Sequence, residues 1–153
     1  MKLLYSLAIP LGVGFMAALF MAHGVHGWYL TISLPTFTPP NWFFAPVWTL
    51  LYILMGISLY LVWRLPPGTP YRRLCLVLFG CQLTLNFLWS LLFFVGHYPG
   101  IALLDISVLW VTILVMIISF IQVREVAGLL QVPYVLWVSF AAVLNFSIWQ
   151  LNR

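Results

Sequence analysis

The sequence predicts an all-α integral membrane protein, a bundle of five transmembrane helices. Three observations carry this. Of the 153 residues, 65% are hydrophobic and only 5% are charged. Soluble domains carry roughly 25% charged residues, so six Lys/Arg and two Asp/Glu cannot cover a water-soluble globule of this length. Five apolar stretches, roughly 3–23, 44–63, 74–95, 101–122 and 127–149, are long enough to span a bilayer, because a helix needs about 20 residues to cross the hydrocarbon core. Finally, the helix breakers fall between these stretches.

The first stretch, Leu3 to Ala22, is too long for a signal-peptide core, and no small-residue cleavage site with a polar mature chain follows it. It is expected to remain as a span, ended by His23-Gly24-Val25-His26-Gly27. The connection over 24–43 carries Trp28, Tyr29, Pro35, Phe37, Pro39, Pro40 and Trp42 but no charged residue. Long loops of this kind are more often functional than idle. Its aromatics either form an interfacial belt or fold over the mouth of the bundle as a cap. The second span ends at Pro66-Pro67-Gly68-Thr69-Pro70, the third at Gly96-His97-Tyr98-Pro99-Gly100, and the fourth at Arg124-Glu125. These later connections are short, so consecutive helices are expected to pack antiparallel in a single domain over 1–153.

The formal charge of +4 does not indicate a nucleic-acid partner. The basic residues sit singly between apolar runs, not on one soluble face, and read as topology signals and membrane-surface contacts. Lys2, Arg64, Arg72, Arg73 and Arg124 lie on one side of the bilayer and Arg153 on the other. The positive-inside rule then places the N-terminus in the cytoplasm. Cys75 and Cys81, about 240° apart on a helix, cannot pair and serve as small apolar fillers.

Helical periodicity separates faces within the spans. Phe79, Gln82, Asn86, Trp89 and Phe93 share one arc of the third helix, with Gly80 and Thr84 on the opposite face. Tyr134, Trp137, Ala141, Asn145 and Ile148 align on the fifth. Trp48, Tyr52, Met55, Leu59 and Trp63 align on the second, and Asp105, Leu109, Thr112, Met116 and Ser119 on the fourth. Polar groups in lipid turn toward protein or water, so the amides turn inward and the aromatics turn with them. Either these groups wall a cavity suited to a large, flat, mostly apolar ligand, or they simply bond helix to helix. Asp105, near a helix start, suits the helix dipole and is expected to be structural. No hydrolase, metal or nucleotide motif is present. His23 and His26 share a face only if the first helix continues past Gly24, which is not expected, so no metal site is assigned.

Several segments resemble the TspO/MBR family (translocator protein / tryptophan-rich sensory protein), in its bacterial form. Trp28-Tyr29, Pro35-Thr36-Phe37-Thr38-Pro39-Pro40 and Pro46-Val47-Trp48-Thr49-Leu50-Leu51-Tyr52 are similar to its first loop and second helix. Gln82-Leu83-Thr84-Leu85-Asn86-Phe87-Leu88-Trp89 with Phe93-Phe94 resembles its third helix, and Ala102-Leu103-Leu104-Asp105 the start of its fourth. Val132-Pro133-Tyr134-Val135-Leu136-Trp137 with Ala141, Leu144 and Asn145 resembles its fifth.

The resemblance implies a usually dimeric five-helix bundle in a bacterial cell membrane, with a pocket closed by the first loop. It implies a porphyrin such as protoporphyrin IX as ligand, with no separate cofactor, and a role as sensor, scavenger or transporter. Carried over by position, the pocket comprises Trp48, Asn86, Trp89, Tyr134, Trp137, Ala141 and Asn145. The alternatives are light-dependent porphyrin degradation, for which Trp89 and Trp137 are the candidate groups, and a structural or regulatory membrane partner. Gly80 and Thr84 form a small-xxx-small patch expected to join two copies through the third helix. Where the family loop carries Lys and Trp, this chain has Leu34 and Phe37, so the resemblance supplies no charged contact from the loop to a ligand carboxylate. Phe146 and Gln150 stand where sterol-binding animal members have Tyr and Arg, so weak or absent cholesterol binding is expected.

Overall fold

Large apolar side chains occupy several faces of the long helices, as expected for helices that meet lipid outside and protein inside. The computed structural model describes residues 1–153. Helix α1 runs Lys2–Val25 and α2 runs Asn41–Trp63, with a 3-10 turn at Trp28–Leu30 between them. Helix α3, Arg72–Ser90, continues directly into a π-helical turn at Leu91–Val95. Helix α4 covers Pro99–Val123, a short α5 covers Glu125–Leu129, and α6 covers Val132–Leu151. Five units are long and apolar enough to cross a membrane: Lys2–Val25, Asn41–Trp63, Arg72–Val95, Pro99–Val123 and Glu125–Leu151. The chain is thus an all-helical, multi-pass membrane protein.

Two local expectations are corrected. Gly24 does not end the first helix, which continues through it to Val25. Gly24 is buried, and a Cβ placed there would lie 2.6 Å from the carbonyl oxygen of Phe94. The glycine is needed for a close approach between α1 and the end of α3, not for a turn. The last span is not one helix either. A single turn, α5, is separated from α6 at Leu130 and Gln131, and Pro133 lies in the first turn of α6. Proline lacks a donor that the first turn does not use.

Helix α1 packs on α2 and on the π turn, while α4 packs between α3 and α6. Ser58 Oγ donates to the carbonyl of Ala127 at 2.6 Å and fastens α2 to α5. At one end of the bundle Arg72 donates to Trp63 O at 2.9 Å, with Lys2 close to the same carbonyl. At the other end the first loop is strapped to the C-terminus. Ser33 N donates to Asn152 Oδ1 at 2.9 Å, and Asn152 Nδ2 donates back to Ser33 O at 2.9 Å. Trp28 stacks on His97 in the α3–α4 turn, with ring centroids 4.7 Å apart. Each bond is modest, but together they hold His26–Pro40 across one end of the helices.

Candidate functional site

The inward stripes sort into two adjoining structures. The first is a buried polar chain linking α2, α3 and α6. Tyr52 donates to Asn86 Oδ1 at 2.7 Å, Asn86 Nδ2 donates to the Tyr134 hydroxyl at 3.0 Å, and Tyr134 donates to Gln82 Oε1 at 2.7 Å. Asn86, Tyr134 and Gln82 are each no more than 1% exposed. Where lipid supplies no competing water, such a chain locks three helices in register.

The second structure is a cavity of about 720 Å³, within the range that holds drug-sized ligands. Its walls come from α1, α2, the end of α3 and α6. Trp48, Trp89, Trp137, Ala141 and Asn145 line it, joined by Tyr52, Phe93 and Phe94. Trp48 stands edge-on to Trp137 at 6.4 Å and stacks against Tyr52 at 5.6 Å. Trp89 stacks on Phe93 at 5.6 Å. Its indole N–H donates to Asn145 Oδ1 at 2.9 Å, and Asn145 Nδ2 donates to Pro99 O at 2.7 Å. Asn145 therefore ties α3, the start of α4 and α6 together beside the cavity. The buried indole N–H of Trp137 has no partner within the protein.

Of the seven residues assigned by position, five line the cavity, whereas Asn86 and Tyr134 sit behind its wall in the polar chain. Asp105 is buried on α4, two turns from its start, and does not line the cavity. His23 and His26 lie at the end of α1 with both side chains exposed, and nowhere do three metal-ligating side chains gather. Gly80 and Thr84 lie on an exposed face of α3, away from the cavity.

A model of the TspO/MBR family matches residues 6–150. The chain belongs to the TspO/MBR family. It is 43% identical to the tryptophan-rich protein TspO of Archaeoglobus fulgidus, over 99% of this chain and 97% of that one. Against the tryptophan-rich protein TspO of Chlorobaculum tepidum the identity is 40%, over 99% and 96% of the two chains. The translocator protein of Sus scrofa is 34% identical, over 87% of this chain and 79% of its own length.

Two parts of this TspO/MBR cavity escaped the sequence reading. One is the contribution of α1, through Gly14, Ala17, Ala18 and Ala22. The signal was present as a run of small residues, but without a polar group it carried no inward direction. Gly14 is where the Tyr52 ring lies against α1, and a Cβ there would overlap the ring. Ala18, Ala22, Ala45 and Thr49 line the cavity and are also exposed. The other part is that Tyr29, expected only as one of the capping loop's aromatics, reaches from the 3-10 turn into the lining and packs against Phe93 and Phe94 at 6.5 and 5.9 Å. Burial raises the pKa of its phenol above the ordinary value, so it remains a hydrogen-bond donor at neutral pH.

Proposed function

We propose that the cavity binds a porphyrin of the protoporphyrin IX type, the protein acting as a sensor, scavenger or transporter of that ligand. The observation that carries this reading is four indoles, Trp42, Trp48, Trp89 and Trp137, lining one largely apolar space of about 720 Å³. Flat aromatic faces stack on tetrapyrrole rings, and a few fixed amides orient them. Relatives named translocator protein and tryptophan-rich sensory protein, the latter from Cereibacter sphaeroides, are compatible with either transport or sensing. In this reading the protein needs no metal or separate cofactor. It sits in a bacterial cell membrane with its N-terminus in the cytoplasm, and two copies meet through Gly80 and Thr84.

A second reading, light-driven oxidative degradation of the porphyrin, is favoured by one specific feature. No carboxylate or amine lines the cavity, whose titratable side chains are His26, Tyr29 and Tyr52, so carboxylate-based acid–base chemistry has no group beside a bound ring. A bound porphyrin supplies its own excited state, with Trp89 and Trp137 as neighbouring electron-rich groups. The deciding experiment is a titration of the purified protein with protoporphyrin IX. Saturable quenching of Trp fluorescence is expected. Folded protein that shows no quenching up to roughly 50 μM porphyrin, a weak affinity for any specific site, refutes the reading.

A further inference from the structure

The cavity is chemically lopsided. Its deep end is formed by Leu11, Gly14 and Tyr52, near the middle of the bundle. Its other end, beneath the first loop, carries His26, Tyr29 and Asn41. These three belong to three different elements: the C-terminal cap of α1, the 3-10 turn and the first residue of α2. None of their side chains makes a hydrogen bond within the protein, although Tyr29 is only 4% exposed and lines the cavity.

The backbone adds to this end. Helix α2 begins there behind Pro40 without a side-chain cap, leaving the N–H groups of Asn41 and Trp42 without a backbone partner and presenting the positive dipole of a helix start. No Asp, Glu, Lys or Arg lines the cavity.

We propose that His26, Tyr29 and Asn41, with the start of α2, form a rim that holds the carboxylate of an acidic, otherwise flat and apolar ligand. The proposal rests on the porphyrin-type reading of the cavity and fixes which end of such a ligand faces the loop. The ring system lies among the indoles and its acid group points to the loop side, where water is near. A charge-assisted bond from an imidazolium, a phenol and an amide to one carboxylate is stronger than a neutral contact. Histidine is the side chain that gains charge between pH 5 and 8, and a charged rim grips a carboxylate more strongly than a neutral one. The other ionisable groups at this end are His23 on α1, His97 under Trp28, the exposed Tyr98 next to it, and Arg153, whose guanidinium lies over Trp149. Asp105 lies on α4 outside the cavity lining, and Glu125 begins α5 at the opposite end of the bundle. No carboxylate therefore lines the rim to compete for the imidazolium.

The test compares protoporphyrin IX with its dimethyl ester on the full chain in lipid nanodiscs, at about pH 6 and about pH 8. Wild type is expected to prefer the acid roughly tenfold, and more strongly at the lower pH. In His26→Gln the acid-over-ester preference and its extra pH dependence should collapse. Tyr29→Phe should reduce the preference by several-fold. Ester affinity in each variant reports whether the cavity itself is intact. Equal affinities for acid and ester in wild type, or a preference unchanged in His26→Gln, overturn the proposal while leaving the flat-ligand reading standing. A folded wild type that binds neither compound overturns both.

Discussion

Tyr134→Phe removes one oxygen atom and breaks the centre of the buried polar chain. The Tyr134 hydroxyl both accepts from Asn86 Nδ2 at 3.0 Å and donates to Gln82 Oε1 at 2.7 Å. The ring stays, so packing is conserved, while two buried groups lose their partners. An interhelical hydrogen bond in a membrane bundle averages about 0.6 kcal/mol, so the two together set a floor of about 1.2 kcal/mol. Stranding a buried polar group costs about 1–3 kcal/mol in water-soluble proteins. The amide of Gln82, already directed toward Met55 Sδ at 3.9 Å, has nowhere better to turn. The expected loss is about 1.2–3 kcal/mol, read by reversible unfolding in mixed micelles. Porphyrin affinity should change less than about twofold, since Tyr134 does not line the cavity. Combining Tyr134→Phe with Asn86→Leu should cost less than the sum of the single changes by roughly 0.5 kcal/mol or more, because both break the same bond. A Tyr134→Phe protein as stable as wild type, or strict additivity in the pair, refutes the view that this chain fastens the bundle.

Gly80→Leu should convert dimers to monomers in sedimentation or cross-linking while sparing ligand binding, because a Cβ at Gly80 meets nothing within 4 Å inside the protomer. Dimers that persist would redirect attention to Ala18 and Ala22 on α1. Asn152→Ala removes both bonds to Ser33, a loss of roughly 1–2 kcal/mol of loop anchoring. Hydrogen exchange around residues 31–35 should rise and porphyrin should dissociate several-fold faster; unaltered exchange would mean that the strap does not hold the loop. Under illumination, loss of porphyrin absorbance is expected to slow several-fold in Trp89→Phe and Trp137→Phe, with no loss in the dark. Equal decay in light for wild type and both variants would confine these indoles to binding.

The five spans and the direction of their polar faces were legible in the sequence because lipid imposes a rule that acts residue by residue. A segment must be about 20 residues of apolar helix to cross, and an amide within it must turn inward. Hence Gln82, Asn86 and Asn145 are all buried as their periodicity required. Periodicity gives a direction but not what lies opposite. Asn86 and Asn145 face inward from α3 and α6, yet Asn86 sits behind the wall, bonded to Tyr52 and Tyr134, while Asn145, bonded to Trp89, stands at the cavity. That division depends on which helix lies across from each amide. The same holds for Gly24, which reads as a stop in one dimension and is a contact with Phe94 in three. It also holds for α1, whose small residues became a cavity wall only because α6 stands apart from them. Composition and period are properties of one chain segment and its solvent, and the sequence carries them in full. A cavity is the space left between segments, and only the tertiary arrangement decides where that space lies.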